Sequence, residues 1–443
     1  MNLLGDFYIS RIPIKTTSHC LTFGAESAII VCSECYSGFL FQDTRISNLS
    51  GATPLQRGFV LFWGTYMKTA CVLYGATDLG SLHFSSDILW RTRFKAPDPL
   101  WLIEMNGKRY IFVSALEYGR AKKQAKVDEV ILLEHQRGDS SAGHVIDFLK
   151  RKKIEKVIVP DSFSYATGRV LGDVFDLETR MPPFYPERAI KTTWEMREII
   201  SAQRATEAAM HEAMDFLRRS RIRGKRVYSG SRVVTSEILR DIIDASLYSR
   251  GYLGLDTIAA CGATAADPHA VGSGPLMPYQ PIVLDVFPVS RDTHYYADMT
   301  RTVFKGTPSQ GLQDMYEAVR EAQEVGIKKI KPGADGSAIY RETREFFESR
   351  EYPTNFNKQP EGFIHGLGHG VGIDIHEAPS MGAGGEILHT GNVVTVEPGL
   401  YYHKPRRGIP RGGIRIEDMI LVTNAGHQNL TQFPKALSEI IIV

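Results

Sequence analysis

Residues 362–377 form the part of the chain richest in side chains that could bind a metal ion or move a proton. Three histidines and five glycines fall within this stretch, and the histidines are His365, His369 and His376. Glycine has no side-chain bulk and tolerates positive φ, so the backbone can pass close to a ligand and the imidazoles can turn inward. Alternating apolar and polar residues at Ile373–His376 predict a short strand. The pattern leaves two interpretations open, ligand histidines or histidines satisfied within a loop.

Four carboxylates elsewhere in the chain have β-rich surroundings, and they are Asp285, Asp298, Glu397 and Glu417. Asp285 and Glu397 each follow an apolar run and are predicted at the ends of strands. Asp298 is predicted inside a strand over Tyr295–Phe304, although aspartate has a low strand propensity. Period-two alternation within Ile414–Val422 places Arg415 and Glu417 on one face of a further strand.

Carboxylates gathered in a protein interior destabilise the fold unless cations neutralise them. Two divalent ions would do so, and two aspartates, two glutamates and one histidine favour Mn²⁺, with Co²⁺ or Zn²⁺ as alternatives. A pair of ions roughly 3.5–4 Å apart polarises a carbonyl group and activates water. The competing interpretation is a structural salt-bridge network that uses Arg301, Arg411 and Arg415.

The elements around these residues predict two folded regions joined by a linker. Before the linker, strand-like runs alternate with helical segments, and Asn106-Gly107 predicts a hairpin, so this region is read as α/β. The linker, 182–186, contains three prolines in five residues. After it, Thr193 is predicted to cap a long helix, and further long helices are predicted to pack on a mostly antiparallel sheet, an α+β pattern.

Composition excludes several classes of protein. A net charge of +2 indicates neither a nucleic acid nor an anionic membrane as the main partner. The longest apolar runs are far shorter than the roughly 20 residues that cross a bilayer. The first residues lack the pattern of a secretory signal, and five cysteines in 443 residues do not form a disulfide scaffold, so we expect a cytoplasmic protein. Cys32 and Cys35 form a C-x2-C that could be half of a zinc site, but the sequence offers no second half.

The order of these motifs resembles that of the pita-bread metallopeptidases, in particular their Xaa-Pro aminopeptidase and Xaa-Pro dipeptidase (prolidase) branch. The resemblance covers Tyr66–Val443 and is carried by Asp285, Asp298-Met-Thr-Arg-Thr, His365-Gly-Leu-Gly-His369, His376-Glu, Thr395-Val-Glu397-Pro-Gly and Ile414-Arg-Ile-Glu417-Asp. It implies an α/β creatinase-like N-terminal domain at 66–187 followed by an α+β pita-bread catalytic domain at 188–443. Residues 1–65 match nothing in the family and form an extension of unknown role.

The resemblance also implies a role for individual residues. Asp285 would hold one metal ion, His369 and Glu397 the other, and Asp298 and Glu417 would bridge the two. Glu397 would move the proton and His376 would stabilise the developing oxyanion, so these two are the catalytic candidates. His269, His365 and His376 would bind substrate, and Arg415 would orient metal ligands.

The activity that the resemblance implies is removal of the first residue of a peptide that has proline in second position. An Xaa-Pro dipeptidase is the alternative, because it needs only an additional seat for the substrate's carboxylate. A non-catalytic binding module is a remote alternative, since all five ligand positions hold acids or histidine. The resemblance further implies a homodimer or higher homo-oligomer.

Overall fold

The structure is a computed structural model that describes residues 67–133, 141–354, 360–406 and 408–443. The proposed extension and the Cys32–Cys35 pair therefore lie outside the described residues. The structure does not test the domain boundary between 187 and 188, and we use "N-terminal region" for residues 67–185 and "C-terminal region" for residues 186–443.

The N-terminal region is a mixed six-stranded sheet with helices packed against it. Its strands are β1 Thr69–Gly75, β2 Leu100–Met105, β3 Lys108–Val113, β4 Glu129–Leu132, β5 Lys156–Pro160 and β6 Asp176–Arg180, in the spatial order β4-β3-β2-β1-β5-β6. Its helices are α1 Ser86–Thr92, α2 Ala115–Gln124, α3 Ser141–Arg151 and α4 Tyr165–Gly172. The predicted hairpin joins β2 and β3, with positive φ at Asn106 (51°) and Gly107 (72°) as a type I′ turn requires. The α/β prediction for this region is confirmed.

The C-terminal region contains the long helices α5 Thr193–Arg219, α6 Ser236–Ser249, α7 Gln310–Lys329 and α8 Gly336–Ser349, and the short α9 Leu437–Ile440. Its strands are β7 Arg221–Arg223, β8 Arg226–Ser229, β9 Arg232–Val233, β10 Tyr252–Leu253, β11 Ile258–Cys261, β12 Pro281–Val286, β13 Val289–Ser290, β14 Met299–Lys305, β15 Gly368–Gly370, β16 Glu377–Met381, β17 Val393–Val396, β18 Gly399–Tyr402, β19 Gly412–Arg415, β20 Asp418–Thr423, β21 Gly426–Asn429 and β22 Ile441–Ile442.

Two sheets of the C-terminal region position the predicted site. One has the order β11-β12-β14-β22 and the other β16-β15-β17-β20-β21, and most of their pairings are antiparallel. Helices α5 and α7 bury their apolar faces against these sheets. The α+β prediction is thus confirmed, although the strands form separate sheets and not a single one.

Helix α5 shows how the sequence starts a long helix. The N-cap is Thr192, one residue before the predicted Thr193, and Thr192 and Glu195 bond reciprocally in a capping box. Two polar residues on its apolar side, Gln203 and Thr206, are fully buried and each donates a hydrogen bond, although Gln203 Oε1 has no partner among the described residues. Gln203 donates to the Thr431 hydroxyl, and Thr206 donates to a carbonyl of the preceding turn.

The structure corrects three local predictions. Residues 373–376 form bends between β15 and β16, because the chain must turn there to bring His376 beside His369. Asp298 precedes β14 and does not lie within it, which spares the strand a residue of low propensity. Ile414–Val422 is two strands, β19 and β20, and the chain leaves the ladder between Arg415 and Asp418, so the predicted single strand is wrong, although Arg415 and Glu417 still line one cleft.

None of the helices in the described ranges combines the length and the apolar character that crossing a bilayer requires.

His294 lies where the two regions meet and gives a pH-dependent contribution to stability. Its side chain is 1% exposed, its Nε2 is 3.9 Å from Asp78 Oδ1, and its ring packs on Phe84. Burial, assisted by the positive charge of Lys95, lowers the pKa of His294 to about 4, although Asp78 and Asp292 oppose this. The unfolded chain, with a pKa near 6.5, therefore binds a proton that the folded protein excludes between pH 6.5 and 4, and stability is lost as the pH falls through that window.

We expect His294→Asn to flatten this pH dependence. Asparagine tolerates the positive φ of 61° at this position and does not titrate. From pH 7 to pH 4.5 the wild type should lose about 2–3 kcal/mol more unfolding free energy than the variant. Denaturant titrations at both pH values measure the difference, and parallel losses in the two proteins would contradict the assignment.

Candidate active site

A cleft of about 720 Å³ collects every residue that the sequence predicts to act in the site. The residues that line it include Asp285, Asp298, His269, His365, His369, His376, Glu397, Arg415 and Glu417. Asp285, His369 and Arg415 lie on β12, β15 and β19, and Asp298, Glu397 and Glu417 lie directly before β14, after β17 and before β20. The other three, His269, His365 and His376, lie in the loops before β12, β15 and β16. Their individual roles stay predictions, but their convergence on one cleft is what those roles require.

Strand register brings the carboxylates together. Asp285 on β12 pairs with Thr300 on the neighbouring strand, β14. Asp298 lies only two residues before Thr300 in the chain and so comes close to Asp285. Val396 on β17 pairs with Asp418 on β20, so the residues beside that pair, Glu397 and Glu417, are adjacent. The two sheets thus present one pair of acids each to the same cleft.

His369 reaches the acids because its neighbours are glycines. A Cβ at Gly368 would lie 2.0 Å from the Thr395 carbonyl oxygen, and one at Gly370 would lie 2.3 Å from that of Ala378. Only glycine lets β15 fit between β16 and β17 at this point.

The resulting distances are short enough for shared ligands. His369 Nε2 lies 3.3 Å from Glu397 Oε1 and 3.6 Å from Asp298 Oδ2. One ligand atom from each of Asp298, His369 and Glu417 can be chosen so that all three lie within 4.8 Å of one another. Asp285 joins the group through the Thr300 hydroxyl, which is 2.9 Å from Asp285 Oδ1 and 2.9 Å from Glu417 Oε2.

Arg415 links several members of this group through hydrogen bonds. Its guanidinium donates to Asp285 Oδ2 at 2.6 Å, to the Thr300 hydroxyl at 3.1 Å and to the Tyr401 hydroxyl at 2.8 Å. Tyr401 in turn lies 3.0 Å from His365 Nε2. Sequence reasoning included Arg415 and His365 but missed Thr300 and Tyr401. Thr300 lies two residues after Asp298, and the β12 pairing was the signal that could have identified it.

Burial and neighbouring charges shift the pKa values of the carboxylates in different directions. Burial, followed by the negative charges of Glu397 and Asp285, raises the pKa of Glu417 to about 8. Burial and the charge of Glu417 likewise raise the pKa of Asp298 well above its usual range. For Glu397, burial alone would raise the pKa, but the hydrogen bond and charge of His369 lower it to about 2. Burial would lower the pKa of His369, and Glu397 raises it to about 9.

The residues fit a cationic metal centre. Among the described residues, Asp298 Oδ1 and Glu417 Oε1 are buried and have no hydrogen-bond donor within reach. A buried carboxylate oxygen without a donor is costly, and two that face one another are more so. Divalent cations neutralise such a group and prefer oxygen and imidazole ligands. The donor set therefore suits the metal ions that the sequence predicts.

The salt-bridge interpretation does not account for these orphaned oxygens. Arg415 pairs with Asp285, and Arg301 pairs with Asp418 at 2.7 Å on the other side of β20. Neither arginine contacts Asp298 Oδ1 or Glu417 Oε1 within the described part of the chain. The arginines therefore stabilise the periphery of the site and leave the two central acids, Asp298 and Glu417, without a protein cation at these oxygens.

The remaining surface of the cleft is suited to a partly apolar ligand. His376 packs edge-on against His369, with ring centroids 4.2 Å apart, and burial followed by the charge of His369 lowers its pKa. His269 lines the cleft from the segment after β11. Apolar side chains missed by sequence reasoning complete the wall: Ile258, Val271, Phe287, Ile364 and Ile375. Asp256 is an additional carboxylate at the cleft.

Comparison with known proteins places this geometry in a family. The sequence profile of metallopeptidase family M24 matches residues 197–424, just over half of the 443 residues. The chain belongs to metallopeptidase family M24. That span of the peptidase contains all nine predicted site residues.

Relatives extend the likeness beyond the profile. An uncharacterised peptidase of Bacillus subtilis is 29% identical to this peptidase over 347 residues, 76% of this chain and 89% of that protein. The Xaa-Pro dipeptidase of Pyrococcus furiosus is 37% identical over 185 residues, 41% of this chain and 49% of that enzyme. The solved structure of an Xaa-Pro dipeptidase from Bacillus anthracis superposes with a TM-score of 0.69 at 25% identity, covering 84% of this chain and 95% of that one. The predicted pita-bread fold with an α/β N-terminal region is confirmed.

Proposed function

We propose that this peptidase hydrolyses the Xaa-Pro bond at the N-terminus of peptides with the help of two divalent metal ions. The observation that carries the proposal is the convergence of two aspartates, two glutamates and a histidine on one cleft, with orphaned carboxylate oxygens at its centre. The names of two relatives, both Xaa-Pro dipeptidases, support proline in the second position of the substrate.

Asp285, Asp298, His369, Glu397 and Glu417 would hold the ions. Bound divalent ions would supply Lewis-acid chemistry, which polarises a peptide carbonyl and makes water more acidic. Mn²⁺ is the ion we favour, because four of the five donors are carboxylates. Co²⁺ and Zn²⁺ are compatible with the histidine.

The protein's own side chains would perform the proton transfers. Glu397 is the most accessible acid of the group, with 19% of its side chain exposed toward the cleft, and so it would accept a proton from water and deliver it to the leaving nitrogen. That nitrogen needs a proton because it leaves as an amine when the C–N bond breaks. His376 would donate a hydrogen bond to the carbonyl oxygen as negative charge develops on it. Arg415 and Tyr401 would hold Asp285 and His365 in place.

The apolar wall of the cleft would select the substrate. Phe287, Ile364 and Ile375 offer a surface on which a proline ring buries apolar area without leaving a donor unsatisfied. An ordinary residue at that position would bring a peptide N–H to the same wall at the cost of its hydrogen bond. We further propose a homodimer or higher homo-oligomer, as the resemblance implies.

A substrate panel tests the proposal and separates its two forms. With Mn²⁺ added, the purified peptidase should cleave Xaa-Pro and Xaa-Pro-Yaa-Zaa peptides and leave the matched Xaa-Ala peptides intact. Preference for the longer peptide indicates an aminopeptidase, and activity restricted to Xaa-Pro indicates a dipeptidase. Equal cleavage of the alanine peptides would contradict selection by the proline ring.

A further inference from the structure

Arg188 connects the two ends of the segment that carries His376. It lies in a short 3-10 turn, Pro186–Ala189, three residues before the start of α5, and its side chain is 11% exposed. Its Nη2 donates to Asp374 Oδ2 at 2.8 Å and to Glu377 Oε2 at 2.8 Å. These acids lie two residues before and one residue after His376, so a single guanidinium group brackets the histidine.

The same guanidinium also contacts the N-terminal region. Its Nη1 donates to Asp87 Oδ1 at 2.6 Å and to the Ser86 hydroxyl at 3.0 Å, at the start of α1. Ser86 also bonds directly to the His376 segment, because its hydroxyl donates to Asp374 Oδ2 at 2.6 Å. Arg188 therefore ties α1 to the His376 segment, although these parts are almost 300 residues apart in the chain.

Glu377 also pairs with a second cation and packs closely against a glycine. Lys191, whose side chain is 1% exposed, places its Nζ 2.5 Å from Glu377 Oε1. Gly372 supplies the space, because a Cβ there would lie 2.4 Å from Glu377 Oε1. Two cations thus face three carboxylates, those of Asp87, Asp374 and Glu377, in a partly buried cluster where charge-assisted hydrogen bonds are strong.

The segment needs such support because its backbone supplies little. Residues 371–376 lie outside any helix or strand. Their backbone hydrogen bonds are few: Val371 donates to Val393, and Gly372 donates to Asp374 and accepts from Tyr296. Where regular hydrogen bonding is missing, side-chain contacts must fix the position of the imidazole. A misplacement of about 1 Å is enough to cost up to ~100-fold in rate.

We propose that Arg188 is a positioning residue that sets His376 in its working orientation by binding Asp374 and Glu377 together. The inference rests on the proposed role of His376 in the reaction. It adds that the N-terminal region contributes to turnover through α1, because Ser86 and Asp87 hold the other edge of the guanidinium.

Arg188→Gln tests the proposal in the full chain. We expect kcat on an Xaa-Pro peptide to fall by about 10–100-fold, KM to change little and the Mn²⁺ content to stay at the wild-type level. Amide hydrogen exchange should accelerate in peptides that cover residues 371–377 and stay unchanged across β12 and β14. Lys95→Gln is the matched control, since Lys95 also links the two regions, through the Arg291 carbonyl, but does not contact the segment. It should keep wild-type kcat.

Gly372→Ala provides a second variant that retains every charge. Its Cβ should displace the Glu377 carboxylate and lower kcat in the same way, so a poorly folded Arg188→Gln protein would not leave the question open. The double variant of Arg188→Gln and His376→Ala tests whether the two residues act together. If Arg188 acts through His376, adding Arg188→Gln to His376→Ala should lower kcat no further.

Each other outcome overturns a specific statement. Losses that multiply in the double variant, or normal kcat in both Arg188→Gln and Gly372→Ala, would show that Arg188 does not act through His376. Normal kcat in His376→Ala alone would remove His376 from the proposed function and the positioning inference with it, whatever Arg188→Gln does.

Discussion

Asp298→Asn is expected to lower the metal content sharply and to abolish peptidase activity. The asparagine side chain has the same shape but removes the charge that two divalent ions would share with Glu417. Asp298 is 5% exposed and its Oδ1 is buried without a donor, so no neighbouring residue can replace it as a ligand. We expect the variant to contain markedly less Mn²⁺ after dialysis and to show no measurable cleavage of Xaa-Pro peptides.

The stability of the same variant should change in the opposite direction. Without metal, burial first and the charges of neighbouring carboxylates second raise the pKa values of Asp298 and Glu417, so an ionised carboxylate is disfavoured at either position. Asparagine carries no charge that could be buried there, so the metal-free Asp298→Asn protein should be at least as stable as the metal-free wild type. Added Mn²⁺ at 100 times Kd should stabilise the wild type by about 2.7 kcal/mol and the variant hardly at all.

Asp256→Asn is the control for both measurements. Asp256 lines the same cleft and loses the same charge, but it is not part of the metal-binding group. It should retain wild-type Mn²⁺ content and the full thermal shift on Mn²⁺ addition. Full occupancy by two ions in Asp298→Asn would refute the ligand assignment.

The residues that sequence reasoning found are those whose local surroundings are anomalous. Asp285 and Glu397 each end a buried apolar strand, and His369 lies between glycines, so each contradicts the pattern of a purely structural segment. Such conflicts between local pattern and residue type are expected at functional sites. The fold class followed from periodicity in the same way, because strands and helices alternate before the linker and long amphipathic helices follow it.

The features that sequence reasoning missed depend on contacts between distant parts of the chain. Thr300 and Tyr401 are ordinary strand residues whose importance appears only when β14 and β18 lie beside Arg415. Arg188 looks like a linker residue, and its partners at Asp87 and Asp374 are 101 and 186 positions away. Side-chain hydrogen bonds over such separations leave no periodic signal, so a single sequence does not reveal them.

The same reasoning explains two of the three local errors. A period-two pattern was extended through Glu417 and through 373–376, but at both places the backbone leaves its ladder to aim a side chain into the cleft. Functional requirements replaced regular structure there. Helix α5, by contrast, has no functional side chain in the cleft, and its cap was predicted to within one residue.

His376→Ala separates a catalytic role from a structural one. If His376 only fills space beside His369, its loss should cost ~1–3 kcal/mol of stability, as for a lost buried hydrogen bond, and the folded protein should turn over normally. If it donates to the developing oxyanion, kcat should fall by roughly 10²–10³-fold, because that stabilisation exists only in the transition state.

The metal content of the same sample shows whether His376 is a metal ligand. His376 lines the cleft beside the metal-binding group, and it is not one of the five proposed ligands, so Mn²⁺ stoichiometry should stay at the wild-type value while kcat falls. Loss of one metal equivalent in His376→Ala would mean that His376 is itself a ligand and that its role has been confused with that of His369. His376→Gln refines the result: because glutamine keeps a donor but not the imidazole geometry, it should recover part of kcat if hydrogen bonding to the oxyanion is what His376 provides.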